Sequence, residues 1–210
     1  FRWKHAGVQA KGHVVILRRC HRSTPSVLRA AVPLIESQRD RFGEDLVIPI
    51  AEGADGPVVR LYLAPSDETE ADWIAVQVKK HIDDGVNPAT IAILSKDRGK
   101  RALVRKRLEA RGIDVEAYEA SKTRKFVNLD HPSVKLLSIA SAKGIEFPIV
   151  FVAAVTEHHF PSSQADPEGA DHARRLLYTA ITRAGRHAYV SAPHADASQL
   201  LNELDPAHVT

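Results

Sequence analysis

The chain has 210 residues, of which 44% are hydrophobic and 26% are charged, and its formal net charge is +3. These values are ordinary for a globular protein of one large or two small domains, and they exclude a chain too small or too polar to bury a core. The mildly basic balance is compatible with binding to nucleic acid but does not identify it.

The sequence also indicates the cellular compartment in which the protein is expected. Cys20 is the single cysteine, which excludes an internal disulfide and fits a reducing compartment, so we expect a cytoplasmic protein. No apolar run approaches the ~20 residues that span a bilayer, and no signal peptide is visible. Because there is no methionine, even at position 1, we expect a fragment whose residues 1–12 belong to an upstream linker.

Predicted strands and helices alternate in the first part of the chain. Short apolar runs predict strands at residues 13–18, 46–50, 58–63, 90–95 and 113–118. Apolar residues at helical spacing predict helices at residues 25–35, 66–82 and 97–111. Ser66 is a good N-cap for the second helix, and Gly112 is expected to end the third.

The second part of the chain contains two stretches around which we expect the rest to be organised. Residues 138–155 indicate strand, polar turn and strand, and residues 174–191 indicate helix, basic turn and strand. A loop at 161–171 separates them, and a last helix is predicted at 195–204. The alternation predicts an α/β domain with a mostly parallel sheet flanked by helices. Five residues fall at the ends of apolar segments, where ligands bind in open α/β sheets: Lys143, Gly144, Glu146, Arg175 and Arg183.

The turn at residues 141–146 is a candidate site for a phosphate of a nucleotide or nucleic acid. Gly144 permits close approach of a ligand, and Ser141, Lys143 and the backbone N–H groups can hold an anion. Glu146 can bond a ribose hydroxyl or order a neighbouring arginine. The alternative is an ordinary link between strands with a solvated lysine, and spacing alone does not separate the two.

Two arginines are further candidates. Arg183 ends an apolar helix face just before a strand, where a guanidinium can bind a phosphate bidentately. Arg22 precedes a helix N-terminus, which favours anions. Taken alone, each is more often a surface arginine, and Arg183 then merely favours the helix dipole. Cys20 and His21 have no partners that complete a tetrahedral metal site, so we expect none.

Three motifs in order resemble superfamily 1 helicases of the UvrD/Rep type. Residues 19–24 (RCHRST) are similar to the Asn-Tyr-Arg-Ser-Thr run of motif IV. Residues 138–148 (SIASAKGIEFP) resemble motif V, Thr-x-His-x-Ala-Lys-Gly-Leu-Glu-Phe. Residues 177–184 (LYTAITRA) resemble motif VI, Leu-Tyr-Val-Ala-x-Thr-Arg-Ala. The last two are highly specific, and the resemblance covers nearly the whole chain.

The resemblance implies a single RecA-like domain of the P-loop-NTPase type over residues 1–210, the second motor domain of such a helicase. It implies that Arg22 and Arg183 act as arginine fingers on the γ-phosphate of ATP, which the first RecA-like domain would hold together with Mg²⁺. That first domain and single-stranded DNA would be the partners, with no membrane involved.

The resemblance also assigns roles to further residues. The nucleotide would be contacted by Gly144, Glu146, Lys143 and Arg175, and Tyr178 would help Arg175 to support the arginine geometry. The DNA backbone would be contacted by Ser138, Ala140 and Ser141.

The chain departs from the family at several points. It has no Gly-x-x-x-x-Gly-Lys-Ser/Thr loop, so this chain alone should not hydrolyse ATP. Ala140 replaces the usual histidine of motif V, which puts one DNA contact in doubt, and Cys20 and His21 replace Asn and Tyr of motif IV. The connector at 119–131 is too short for the accessory domain that large relatives insert.

The leading hypothesis is therefore the C-terminal motor domain of an ATP-dependent DNA helicase that moves 3′ to 5′. The alternative is a non-catalytic helicase-like module that binds nucleic acid or protein; the altered residues favour it, and the retained arginines argue against it. An unrelated nucleotide-binding α/β enzyme would require the two specific motifs to be a coincidence.

Overall fold

The structure is a computed structural model, and it describes residues 18–38, 47–118, 128–163 and 165–210. The linker predicted at residues 1–12 and, apart from Arg18, the strand predicted at residues 13–18 lie outside the described residues. Of the connector predicted at residues 119–131, only residues 128–131 are described. Within the described part of the chain, no helix is long and apolar enough to cross a membrane.

The described elements alternate as the sequence predicts. The strands are β1 (Arg19–Cys20), β2 (Ile50–Ala51), β3 (Arg60–Ala64), β4 (Ile91–Leu94), β5 (Val115–Tyr118), β6 (Val134–Leu137), β7 (Phe147–Val152) and β8 (Ala184–Pro193). The helices are α1 (Pro25–Ala31), α2 (Pro33–Glu36), α3 (Asp67–Asp83), α4 (Arg98–Glu109) and α5 (Pro167–Ile181).

Strands β3 to β8 form one parallel sheet. Their order across the sheet is β3-β8-β7-β4-β6-β5, and every neighbouring pair is parallel. The last strand of the chain, β8, thus lies between β3 and β7. Strands β1 and β2 pair with each other, also in parallel. The predicted α/β fold with a mostly parallel sheet is confirmed.

Helices cover both faces of this sheet. In β4, Ala92 and Leu94 belong to the core that includes α1, α2 and α5, whereas Ile91 and Ile93 belong to the core that includes α3 and α4. This alternation follows from the two-residue period of a strand. Every residue of β4 is buried, as expected for a central strand whose two faces are both covered. The result is a three-layer α/β/α domain.

A buried charged pair fastens the helices of one face to the carboxyl edge of the sheet. Glu70 on α3 is fully buried, and its Oε2 lies 2.5 Å from Nζ of Lys100 on α4. Its Oε1 accepts hydrogen bonds from the Ser191 hydroxyl in β8 (2.7 Å) and from the Ala154 backbone N–H after β7 (2.9 Å). Asp67 completes the network by pairing with Lys100. The segment that leaves β7 is therefore held by a carboxylate from another layer.

Several predicted boundaries differ from the structure. Of the described residues in the strand predicted at 46–50, only Ile50 lies in a strand, and the strand predicted to open residues 138–155 ends at Leu137.

Two helix boundaries differ as well. The helix predicted at residues 25–35 is split into α1 and α2, because Pro33 has no backbone N–H with which to continue the hydrogen bonding of α1. The loop predicted at residues 161–171 ends earlier than expected. The Asp166 carboxylate accepts a hydrogen bond from the Gly169 N–H (3.0 Å), so α5 begins at Pro167.

The α-helix predicted at residues 195–204 is wrong. The chain forms two short 3₁₀ helices instead, His194–Asp196 and Gln199–Glu203. Between them Ala197 forms an antiparallel bridge with Thr156, and the Ser198 hydroxyl donates to the Phe160 carbonyl (2.6 Å). These contacts with the segment after β7 hold residues 197 and 198 in non-helical backbone conformations.

Candidate phosphate-binding site

Three predicted site residues meet at the amino edge of the sheet. Glu146 immediately precedes β7, Arg183 immediately precedes β8, and the Phe147 N–H donates to the Arg183 carbonyl (3.0 Å). The segment that carries Arg22 is fixed nearby, since the Thr24 N–H donates to the Gly185 carbonyl in β8 (3.0 Å). The starts of β7 and β8 thus bring together residues that are far apart in the sequence.

The position of these residues at the amino edge corrects one expectation from the sequence about where a ligand would bind. The rule for open α/β sheets puts ligands at the carboxyl ends of strands, but Arg183 and Glu146 lie where β8 and β7 begin. All strands of the sheet run the same way, so residues that immediately precede strands share the amino edge. The rule for carboxyl ends therefore gives no support to a ligand site at these arginines.

Both arginines are held by the residues just before β7. Arg22 Nε forms an ion pair with Glu146 Oε2, and the two side chains are 45% and 58% exposed. Arg183 donates from Nη1 to the Ile145 carbonyl (3.4 Å) and from Nε to the Thr179 carbonyl of α5 (3.3 Å). Consecutive residues, Ile145 and Glu146, thus bind one guanidinium each. Ile145 was not a predicted site residue, because a backbone carbonyl leaves no mark in the sequence.

The electrostatics indicate crowded positive charge. Burial and the nearby charge of Arg22 lower the pKa of Arg183, and Glu146 opposes this shift. Burial raises the pKa of Tyr178 to about 12, a nearby Cys20 adds to the rise, and both arginines oppose it. Tyr178 therefore stays neutral next to two cations, and the Glu146 carboxylate acts on both of them. Such a group is suited to receive an anion.

The motif V residues form a crossover between the two edges of the sheet. It leaves the carboxyl end of β6 at Ser138 and reaches the amino end of β7 at Glu146. Ser138 accepts a hydrogen bond at Oγ from the Ser141 N–H (3.1 Å), and the two hydroxyls lie 2.7 Å apart. Ala140 next to them is exposed. The predicted DNA-binding residues therefore lie at the start of the crossover and the arginine partners at its end.

Gly144 and Lys143 lie exposed in the same crossover. Gly144 has a φ of +84°, and no described atom lies within 4 Å of the place where a Cβ would stand. The glycine is thus required by the left-handed backbone of the turn. The open space beside Gly144 can admit a ligand, but the backbone conformation alone already requires a glycine at this position.

Arg175 lies on α5, eight residues before Arg183 in the sequence. Its Nη1 donates to Oε1 of Gln38 (3.0 Å), and the buried Gln38 side chain in turn donates to the Asp171 carbonyl (3.1 Å). These contacts join the end of α2 to α5, and the predicted role of Arg175 towards a nucleotide stays a prediction.

The carboxyl edge holds a cleft that the sequence did not predict. It has a volume of about 470 Å³, and carboxylates line it, among them those of Asp97 and Glu157. Hydrogen bonds to these two carboxylates lower their pKa values against the opposing effect of burial, so both stay charged at neutral pH. Lys96 next to it donates to the His159 carbonyl (2.6 Å). No group of three or more His, Cys, Asp or Glu among the described residues is arranged to hold a metal ion.

Comparison with known proteins agrees with the motifs. The chain matches the UvrD-like helicase C-terminal domain over residues 15–126 and 120–194. It is similar to the ATP-dependent DNA helicase PcrA of Staphylococcus aureus (strain MRSA252), with 42% identity over 71 residues, or 32% of this chain and 10% of that protein. PcrA of Staphylococcus epidermidis (strain ATCC 12228 / FDA PCI 1200) is 44% identical over 62 residues, 28% of this chain and 8% of that protein. The matches thus span about a tenth of these relatives' length.

A solved structure shares the fold. The C-terminal domain of a possible DNA helicase from Lactobacillus plantarum WCFS1 superposes with a TM-score of 0.63 at 23% identity, over 90% of this chain and 97% of that one. At this identity the likeness concerns the fold. The family match, in contrast, covers most of the sequence and includes all three motifs. The chain therefore belongs to the family of UvrD-like helicase C-terminal domains.

Proposed function

We propose that this chain is the C-terminal motor domain of an ATP-dependent DNA helicase, and that Arg183 and Arg22 are its arginine fingers. The observation that supports this most is the meeting of both arginines at one edge of the sheet, although the sequence separates them widely. In this proposal the edge faces ATP that is held by a separate RecA-like domain of the intact protein.

The residues present fit one end of a triphosphate. Two guanidinium groups and the Glu146 carboxylate together carry a net positive charge, and an arginine finger of this kind contributes about 10³–10⁵ in rate by stabilising charge that develops during phosphoryl transfer. The chain has no phosphate-binding loop, so the other domain would hold the β-phosphate and Mg²⁺. Gly144, Glu146 and Lys143 complete the proposed nucleotide side, and Arg175 is retained as a predicted support.

Single-stranded DNA is the proposed second ligand, bound at Ser138, Ala140 and Ser141. The start of the crossover has an exposed backbone and two hydroxyls, groups that bind a phosphate without reading a base. Because the same crossover ends at the arginine partners, a shift caused by DNA at one edge can alter the arginines at the other. A cytoplasmic location remains our expectation from the single cysteine.

The test is ATP hydrolysis by the intact protein, with and without single-stranded DNA, beside this chain alone. We expect DNA-stimulated hydrolysis by the intact protein and none by the chain, which has no phosphate-binding loop. Arg183→Ala in the intact protein should reduce hydrolysis at least ~10³-fold while leaving ATP binding largely in place. Arg186→Ala, at an exposed arginine of β8, is the matched control and should behave as wild type. A rate near wild type for Arg183→Ala would exclude it as a finger.

The second candidate function is a non-catalytic module that binds nucleic acid or protein. The observation that favours it is Ala140, which presents a methyl group where the family's motif V has a histidine. Absence of hydrolysis in the intact protein, together with retained binding to single-stranded DNA, would support this candidate over the motor.

A further inference from the structure

We propose that Glu146 is a displaceable internal anion: its carboxylate binds Arg22 while the site is empty of phosphate, and an incoming polyphosphate must take Arg22 away from it. The inference rests on the proposed function, because it concerns how the same two arginines are kept before they act. It assigns to Glu146 a role in regulating access to the arginines, separate from any contact with a sugar.

The two arginines are held in chemically different ways. Both partners of Arg183 are neutral backbone carbonyls, those of Ile145 and Thr179. The partner of Arg22 is a carboxylate. A neutral carbonyl adds no opposing charge to Arg183, on which Glu146 acts only without direct contact, whereas the Glu146 carboxylate binds Arg22 directly and compensates its charge. An incoming anion therefore has to compete with the Glu146 carboxylate for Arg22.

The ion pair is suited to exchange. Both of its side chains are about half exposed, at 45% and 58%, and exposed pairs of this kind stabilise a protein only weakly because solvent screens the two charges. A group that carries several negative charges can offset such a pair by binding Arg22 and Arg183 together. A singly charged anion gains less binding free energy from the two arginines and meets the same repulsion from Glu146. The arrangement thus favours polyphosphates over simple anions.

The position of Glu146 adds a route for control. It is the last residue of the crossover that begins at Ser138, and it is followed directly by the first residue of β7. The Ile145 carbonyl that holds Arg183 belongs to the same turn of chain. A small displacement of this end of the crossover would move the Glu146 carboxylate away from Arg22 and the Ile145 carbonyl away from Arg183 together, while the Thr179 carbonyl would still bind Arg183.

The experiment is calorimetric titration of this chain with inorganic tripolyphosphate at low salt. Glu146→Gln keeps the size of the side chain and removes its charge, and we expect it to bind tripolyphosphate roughly 2–5-fold more tightly than wild type. The difference should shrink at high salt because the pair is exposed. Glu109→Gln, which removes an exposed carboxylate paired with Arg105 on α4, is the matched control and should change nothing.

Tripolyphosphate carries no ribose, which separates the inference from the sugar contact. If Glu146 only bonds a ribose, Glu146→Gln weakens binding of ATP and leaves tripolyphosphate unchanged. Tripolyphosphate affinity of Glu146→Gln no higher than wild type, including the case in which neither protein binds, overturns the inference. Such a result leaves the proposed function standing, since that depends on hydrolysis by the intact protein.

A measurement on the wild-type chain tests the inference even if Glu146→Gln does not fold. During titration with tripolyphosphate, the nuclear magnetic resonance signals of Arg22 Nε and of the Glu146 carboxyl carbon should shift together, because the two groups separate. A shift of Arg22 with an unchanged Glu146 signal would contradict the exchange.

Discussion

Ala154 illustrates a local conformational cost in this fold. Among the described residues it is the non-glycine residue with a positive φ, at +57°, and the left-handed region costs an L-residue about 1–2 kcal/mol. Its N–H is bound by Glu70, so the backbone cannot relax without losing that hydrogen bond. The residue lies where the chain turns away from the carboxyl end of β7.

Replacement of Ala154 by glycine should therefore cost less stability than the same replacement at Ala153. Glycine relieves a conformational cost of about 1–2 kcal/mol, which offsets roughly 0.5–1 kcal/mol from its greater freedom in the unfolded chain and roughly 0.8 kcal/mol from the loss of a buried methyl group, so we expect a net change near zero. Urea denaturation of Ala154→Gly measures this change. Ala153→Gly, at the preceding buried position with a negative φ, is the control and should lose stability; equal effects of the two substitutions would refute the explanation.

Two half-buried histidines make the stability depend on pH. The rings of His81 on α3 and His187 on β8 are 5.2 Å apart, and His81 Nε2 lies 2.7 Å from the Tyr189 hydroxyl. Burial lowers the pKa of both, and for His187 the neighbouring His81 adds to the effect. Because these pKa values are lower in the folded chain, the unfolded chain binds protons at a higher pH than the folded chain does. The contribution of the two histidines to the free energy of unfolding is therefore fully present above about pH 6.5 and is lost as the pH falls below it.

His187→Phe tests this pH dependence. It keeps a ring next to His81 and removes one titrating group, so the loss of stability between pH 7.5 and pH 5 should become smaller than in wild type. His172→Phe, at an exposed position of α5, should leave the loss unchanged. Thermal unfolding at both pH values provides the comparison, and an unaltered loss in His187→Phe would refute the assignment.

At the scale of elements, the buried network around Glu70 joins α3, α4 and the ends of β7 and β8. Removing one partner of a buried ion pair leaves the other charge without compensation, which costs roughly 3–5 kcal/mol. Glu70→Gln should therefore reduce the free energy of unfolding by about that amount, because Lys100 is 1% exposed and keeps only Asp67, itself 59% exposed.

The measurement is urea denaturation of four variants: Glu70→Gln, Lys100→Met, the two combined, and Glu109→Gln. In Glu70→Gln with Lys100→Met, both charges are gone while the amide oxygen can still accept from Ala154 and Ser191, so the double variant should lose less stability than Glu70→Gln alone. Glu109→Gln on α4 controls for loss of an exposed ion pair. A double variant as unstable as the sum of its single substitutions would show that the two charges do not depend on each other.

Elements with a local signal were predictable, and their contacts across the sheet were not. Ser66 and Asp97 cap α3 and α4 through their own side chains, and such caps show in the sequence. The break at Pro33 was also visible in principle. The 3₁₀ helices near the end of the chain depend on the Thr156–Ala197 bridge, a contact between segments that no local pattern records.

At the scale of the whole molecule, the motifs predicted the fold and named Arg22, Glu146 and Arg183. They did not indicate that these residues share the amino edge, because this follows from the parallel register of β7 and β8. Pairing of Arg22 with Glu146 likewise depends on the contact between the segment at residue 24 and β8. The residue types needed for the site could be identified from the sequence, whereas their relative positions depend on pairing between distant segments.

The place of β8 has a consequence for synthesis of the protein. The inner neighbour of β3 is the last strand of the described sheet in chain order, so Arg60–Ala64 cannot pair with it until Pro193 has been added. That interval is about 130 residues, or roughly 7–26 s at usual rates of translation. During this time Tyr62 and Leu63 have no strand beside them, and the nascent chain would depend on chaperones to avoid pairing with other molecules.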